Sequence, residues 1–262
     1  MALLEVENLT ITYREQSQPA VKRLSFSIET GETLALVGES GSGKTTTGYA
    51  LLGLLPAEAN ITADRFCFEG QDLRYLSEDG LRNLRGGRIG MVFQDALSAL
   101  NPLMTVGSQI AEAVRLHHRV GRKEAKARAL ALLHKVRIPL AEQRYASYPH
   151  QLSGGMRQRV VIAMALAGNP VLLIADEPTT ALDVTIQAQI IRLLVALQQE
   201  TGTAILLITH DLGVVAELAD RVAILRNGEC LETQPAGLLY HQPQHAYTRQ
   251  LMNARPLAEG KL

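Results

Sequence analysis

The chain has 262 residues, and its 26 basic and 26 acidic side chains cancel to a net charge of zero. That length suits one large domain or a core carrying a subdomain, and the charge balance argues against bulk electrostatic binding to nucleic acid or anionic lipid. Hydrophobic residues make up 47%, yet apolar runs such as 204–208 are far shorter than the roughly 20 residues a membrane span needs. No basic-then-apolar leader opens the sequence, so a chain that is not exported is expected.

In chain order, 3–13 and 24–29 alternate apolar and polar residues, with Pro19 between them. That is the pattern of antiparallel strands with one wetted face. Residues 33–37 read as a short buried strand and 46–55 as a helix stopped at Pro56. Between them stands Gly38-Glu39-Ser40-Gly41-Ser42-Gly43-Lys44-Thr45, which has the spacing and flanking elements of a P-loop. Gly38, Gly41 and Gly43 allow backbone torsions that a side chain forbids. Successive N–H groups then turn on phosphate oxygens, aided by the positive end of the helix. The expected nucleotide-binding set is Gly38, Ser40, Gly41, Ser42, Gly43, Lys44, Thr45 and Thr46. Lys44 brings a point charge to the β- and γ-phosphates, and the Thr45 hydroxyl is placed for Mg²⁺. A merely flexible Gly/Ser loop is the competing reading, and it leaves the flanking strand and helix unexplained. The chain is expected to bind a nucleoside triphosphate.

Further along, 61–69 reads as one strand closed by Gly70, 77–84 as a short helix, and 88–93 as a strand ending at Gln94. From 104 to 166 the texture is helical, rich in Ala and Leu and broken at Gly121, Pro139 and Pro149, which predicts a helical insertion. Strands resume at 171–175, 204–209 and 221–225, with helices at 183–201, N-capped by Asp183, and 212–219. Continuous apolar strands alternating with amphipathic helices imply a parallel sheet covered on both faces. Asn227-Gly228 signals a tight hairpin. The two cysteines, Cys67 and Cys230, fall in strand-like segments without metal-ligand spacing and read as thiols in a reducing compartment.

The strand at 171–175 delivers Asp176 and Glu177 at its C-terminal end, where open parallel sheets bind ligands. Asp176 is assigned to Mg²⁺ through water, and Glu177 to polarising the attacking water. Gln94, His210 and Tyr13 are ambiguous taken singly: a strand end, a core or capping histidine, a strand aromatic. The stretch Leu152-Ser153-Gly154-Gly155-Met156-Arg157-Gln158-Arg159 changes that. Ser153 is a good N-cap, and Gly154-Gly155 leaves backbone donors open at a helix start, a second anion-binding terminus. Two such sites suit one triphosphate when two subunits share it; a plain Gly-Gly kink is the alternative.

Together, Gly38 to Thr45, Gln94, Leu152-Ser153-Gly154-Gly155, 171–177, Ala181-Leu182-Asp183 and His210 resemble the full inventory of an ABC-transporter ATPase subunit, across nearly the whole chain. The resemblance implies ATP with Mg²⁺ as ligands. By it Tyr13 stacks on adenine, and Gln94 senses Mg²⁺, with Thr45 and Asp176, and the membrane partner. Ser153, Gly154 and Gly155 touch the γ-phosphate held by the opposite subunit, Asp183 works across the dimer seam, and His210 fixes the γ-phosphate and Glu177. The expected catalytic set is therefore Glu177, His210, Lys44 and Gln94.

Phe93-Gln94, Leu100-Asn101-Pro102, 148–159 and 173–183 resemble the peptide/nickel group of bacterial importers, specifically the first of its two unlike ATPase subunits. The tail Pro243-Gln244-His245-Ala246-Tyr247-Thr248 resembles that group's H-P-Y-T tail, with Ala246 in place of proline; Ala96 also replaces a usual proline. This likeness implies a heterodimer with a homologous ATPase, two membrane permease subunits and a periplasmic or surface substrate-binding protein. It places the chain peripherally on the cytoplasmic face of the inner membrane, with no nucleic acid partner. The implied cargo is nickel, a metal chelate, or a di- or oligopeptide. The short form, with no cysteine cluster, is more like nickel and metallophore importers, and no iron–sulfur cluster is expected. His117, His118, His241 and His245 read as surface or docking residues, since neighbours on a helix point about 100° apart and make poor co-ligands.

The expected fold is α/β: a P-loop (RecA-like) core at 1–95 and 167–233, an antiparallel β layer, an inserted α-helical subdomain at 96–166, and a short tail at 234–262. Residues 96–103 offer apolar side chains to a membrane subunit, or else cap the subdomain's own core. The rivals are a soluble ABC ATPase acting on nucleic acid or ribosomes, which lacks its usual coiled-coil insertion here, and an ordinary P-loop kinase or GTPase, which has no use for 152–155 or His210.

Overall fold

A computed structural model describes residues 2–14, 16–180 and 182–253. The chain opens with β1 (Leu4–Tyr13), β2 (Val21–Ile28) and β3 (Thr33–Gly38), then α1 (Lys44–Leu51). The helix starts two residues earlier than expected, because Gly43 takes a left-handed conformation (φ 95°) and caps it. It also ends earlier, at a turn through Gly53 (φ 60°), well before Pro56.

The expected strand at 61–69 is two strands, β4 (Ala59–Thr62) and β5 (Arg65–Phe68), followed by the short β6 (Gln71–Asp72). The cause lies in β1, where Asn8 is left-handed and the register shifts. β4 pairs with the Thr10–Tyr13 end and β5 with the Leu4–Glu7 end. The break between them is held by Asn8 Nδ2, which donates to Asp64 Oδ2 at 2.6 Å. Next come α2 (Glu78–Leu84), capped by Ser77, and β7 (Ile89–Val92).

The helical insertion contains α3 (Val106–His117), α4 (Arg122–Lys135), α5 (Ala141–Arg144) and α6 (Gly154–Ala165). The chain then alternates β8 (Leu172–Asp176), α7 (Val184–Thr201), β9 (Ala204–Thr209), α8 (Leu212–Leu218) and β10 (Arg221–Arg226). Asn227 and Gly228, both at positive φ, turn it into β11 (Glu229–Pro235). The tail continues as α9 (Ala236–His241) and α10 (Ala246–Asn253).

Two sheets result. One is antiparallel, in the order β2-β1-β5-β6 with β4 also on β1. The other has six strands in the order β11-β10-β3-β9-β8-β7, and only the β10–β11 pair is antiparallel. Its central strands β3, β8 and β9 are buried at every residue, which is why their sequences are apolar apart from Thr33, Asp176 and Thr209 at their ends instead of alternating.

Alternation reappears in what each face touches. Leu34 and Leu36 of β3 join the core under the antiparallel sheet, with Phe66 and Phe68. Ala35 and Val37 join the other core, with Ile110, Leu133 and Val160 of the helical subdomain. The subdomain therefore shares a core with the sheet. Leu133 is fully buried there. Leu133→Ala is expected to cost about 2–5 kcal/mol in denaturant unfolding. An unmoved unfolding midpoint would show that the helices and the sheet do not form one core.

Candidate active site

The site assembles at the C-terminal ends of four parallel neighbours. β3 runs into the loop 38–43, β7 leads to Gln94, β8 ends at Asp176 with Glu177 next, and β9 precedes His210. A cleft of about 530 Å³ is lined by Glu39, Ser40, Gly41, Gly43, Lys44, Thr45, Thr46, Gln94, Glu177 and His210, with Ala20 at its rim. Beside it a groove is lined by Tyr13, Gln16, Gln18, Pro19, Gly41, Thr46 and Asn227. Tyr13 is half-buried at the end of β1, and Thr46 belongs to both spaces.

Lys44 is buried, only 6% exposed. Its Nζ donates to the carbonyl oxygens of Gly38 and Glu39, each at 2.8 Å, and lies 3.4 Å from Ser42 Oγ. Burial lowers its pKa, while the carboxylates of Glu177, Asp176 and Glu39 pull it back up. Gly41 and Gly43 do need their left-handed torsions (φ 80° and 95°). Gly38 corrects the expectation: its φ is not positive, and it is glycine because a Cβ would strike the Leu225 carbonyl of β10.

Asp176 is buried at the end of β8 and accepts from Thr45 Oγ1 at 3.1 Å. Burial raises its pKa to about 6, against the lowering effect of the Thr45 bond; Glu177 adds to the rise and Lys44 opposes it. These two hard oxygen groups in contact, one a buried acid whose charge burial disfavours, fit a magnesium ion.

Glu177 sits in a left-handed backbone conformation (φ 48°). Its N–H donates to the Ile208 carbonyl at 2.8 Å. Its side chain is gripped at both oxygens: Thr180 Oγ1 donates to Oε2 at 2.9 Å, and His210 Nδ1 lies 2.7 Å from Oε1. Thr180 has no role in the sequence reading. A hydroxyl three residues after the acid is the signal that could have found it.

The remaining expected residues stand elsewhere. Ser153 caps α6, accepting from the Met156 N–H at 3.3 Å, and borders a separate groove with Arg137, Gly155, Arg159 and Gln189. Gly154 faces a further space with Gln94, Asp95, Arg157 and Thr180. Exposed Asp183 caps α7 through the Ile186 N–H at 2.9 Å. Ala181 lies outside the described residues. Within one chain, therefore, Lys44, Thr45, Gln94, Glu177 and His210 come together in the cleft and Asp176 joins them through Thr45, while Ser153, Gly155 and Asp183 do not line it.

Two histidine expectations need correction. His117 and His118 are half-buried packing residues, not surface ones: His117 packs against Gly86, and His118 Nε2 lies 2.9 Å from the Ala167 carbonyl. His245 is half-buried too and stands just before α10, its Nδ1 accepting from the Tyr247 N–H. His241 is exposed, as expected. Among the described residues no group of three His, Cys, Asp or Glu side chains is placed to hold a metal ion, and no helix is long and apolar enough to cross a membrane.

Comparison with known proteins gives one consistent likeness. A family model described as "ABC transporter" matches residues 21–180. The chain is 49% identical over 258 residues to the dipeptide transport ATP-binding protein DppD of Escherichia coli (strain K12), covering 98% of this chain and 79% of that protein. It is 50% identical over 261 residues to the oligopeptide transport ATP-binding protein OppD of Bacillus subtilis (strain 168), covering 98% and 73%. Among solved structures, the dimeric ATP-binding cassette MJ0796 bound to ADP and Pi superimposes with a TM-score of 0.77 at 32% identity, over 89% of this chain and 98% of that one.

The raised pKa of Asp176 has a sign that can be measured on chelator-treated, nucleotide-free protein. Its folded value, about 6, lies above the ordinary 3.8, so the folded state holds the proton more tightly. The resulting stabilisation is full below pH 3.8 and is lost as pH rises through 6, amounting to up to about 3 kcal/mol. Asp176→Asn is therefore expected to raise the unfolding free energy at pH 8 and to leave it nearly unchanged at pH 4. Equal effects at both pH values would overturn the buried charge as their cause.

Proposed function

This chain belongs to the ABC transporter family as an ATP-hydrolysing subunit, and from that premise we propose how its residues divide the work and which transporter it drives. The observation that carries the reading is the grip on Glu177 by Thr180 and His210 beside Lys44 and the loop 38–43. Lys44 and the loop N–H groups bind the phosphates, and Glu177, held in one orientation, accepts a proton from the attacking water. Thr45, Asp176 and Gln94 would hold Mg²⁺, which when bound supplies positive charge against the phosphate oxygens. Tyr13 offers a ring for the adenine at the mouth of the adjoining groove.

Ser153, Gly154, Gly155 and Asp183 serve the nucleotide of a second subunit. That none of the four lines the cleft of its own chain supports this, as does the dimeric form of the MJ0796 cassette. That second subunit is a homologous ATPase, the pair being a heterodimer that closes on ATP and reopens after hydrolysis. We place the domain limits at 1–95 and 167–233 for the core, 96–166 for the helical subdomain, and 234–262 for the tail. The pair works at the cytoplasmic face of the membrane under two permease subunits, fed by a substrate-binding protein. The cargo is a di- or oligopeptide in preference to nickel, because the similar DppD and OppD are dipeptide and oligopeptide transport ATP-binding proteins.

The permease contact lies in an apolar groove between sheet and subdomain, lined by Leu52, Leu54, Met91 and Phe93 on one side and Ala99, Ala113, Val161 and Met164 on the other. Of the segment expected to face a partner, Leu100 is buried, whereas Leu97 and Leu103 are 53% and 85% exposed. The segment is pinned to α3 by Gln109, whose amide bonds the backbone of Asn101 on both sides and the Met104 carbonyl. A displacement of Gln94 at the phosphate thus carries the subdomain with it.

Glu177→Gln is expected to retain ATP binding and to cut turnover of the assembled complex by about 10²–10⁴. Lys44→Ala is expected instead to weaken binding itself, by tenfold or more, as roughly follows from losing a charge-assisted contact. Near-normal hydrolysis by Glu177→Gln would remove the acid from its role. In the same complex, cysteines replacing Leu54 or Phe93 are expected to crosslink to a cytoplasmic loop of a permease subunit. Failure at both positions in an active complex would rule the groove out.

A further inference from the structure

The C-terminal tail reaches the nucleotide loop. Tyr247 of α10 is 5% exposed, and its hydroxyl donates to Glu39 Oε1 at 3.0 Å. Glu39 lines the phosphate cleft, and its backbone carbonyl accepts from Lys44 Nζ. The same residue therefore offers Lys44 a carbonyl and brings a carboxylate to a space built for anions. A free carboxylate there competes with phosphate for the ammonium, whereas Glu39 as bonded by Tyr247 is the weakest of the three carboxylates that act on Lys44.

The tyrosine is itself held from the sheet side. The Arg226 guanidinium lies over its ring, 4.4 Å from the centroid. Buried Glu232 of β11 accepts from the Gln244 N–H at 2.8 Å, the His245 N–H at 3.0 Å and the Thr248 hydroxyl, which ties down the first turn of α10. Arg226 and Glu232 belong to the hairpin whose strand β10 pairs with β3, Leu225 standing opposite Gly38. The tail is thus braced on the strand beside the one that enters the loop.

We propose that Tyr247 is a positioning residue for nucleotide binding: its hydroxyl holds the Glu39 carboxylate away from Lys44, leaving the ammonium to the phosphates. The inference rests on the loop 38–45 being the phosphate site, which the Lys44→Ala chain tests separately.

The test is equilibrium titration of the full chain with MgATP, alongside thermal melting. Tyr247→Phe keeps the ring under Arg226 and removes only the hydroxyl. It is expected to raise Kd by about 3–10-fold, the size of one partly exposed bond to a charged group, with the melting temperature unmoved. Glu39→Gln removes the charge that needs holding and supplies the reference background, against whose own affinity the double variant is compared. Adding Tyr247→Phe to Glu39→Gln is then expected to change nothing further. Wild-type affinity in Tyr247→Phe overturns the proposal, as does a loss that persists in the Glu39→Gln background. A fall in melting temperature of Tyr247→Phe also overturns it, since the hydroxyl then serves the fold. If Lys44→Ala binds MgATP like the wild type, the phosphate-site reading fails instead.

Discussion

The structure depends on keeping an ammonium group out of water. Lys44 is buried at the start of α1, and an isolated charge so placed would be strongly unfavourable. What makes it tolerable is a set of main-chain carbonyls, Gly38 and Glu39, turned inward by the loop. That turn is possible only because Gly41 and Gly43 adopt left-handed torsions and because Gly38 lies flat against β10. The loop is thus fixed by its neighbours in the sheet as much as by its own residues. Carboxylates gather around it for the same reason: the nearby positive charge offsets part of the cost of burying Asp176.

The order of the parallel strands does the rest. Putting β3 beside β9, β9 beside β8 and β8 beside β7 brings residues from four distant parts of the chain to one edge. Glu177 is then turned out of line by a backbone conformation that costs a non-glycine residue roughly 1–2 kcal/mol. The bonds from Thr180, His210 and the Ile208 carbonyl hold it there. A strained acid with a partner on each carboxylate oxygen is a rigid one, and rigidity is what the proton-accepting role proposed for it requires.

Much of this was legible in the sequence because the signals are local. An apolar run makes a central strand, Asp183 caps a helix, and Asn227-Gly228 makes a hairpin, each by short-range chemistry. The fold class followed from their alternation. The break between β4 and β5 was not legible, because it is imposed by a kink at Asn8, more than fifty residues away in sequence. The reason for Gly38 was hidden too, since the colliding carbonyl belongs to Leu225. Thr180 stood in plain view, but its role appears only when the backbone turns at Glu177. His117 and His118 were misjudged because helix geometry speaks to metal ligation and says nothing of what packs against the helix. The link from Tyr247 to Glu39 spans 208 positions and has no sequence signal at all.

The two edges of the six-stranded sheet bear on a different matter, which is how such a protein avoids sticking to itself. A sheet edge is a row of unpaired donors and acceptors, a template for aggregation. β7 closes one side with only four residues, too short to recruit a long foreign strand. β11 closes the other, running antiparallel to its neighbour and ending at Pro235, which has no N–H to offer. Colloidal stability is thus written into the outermost strands, leaving the apolar strands between them free to be as water-averse as the site requires.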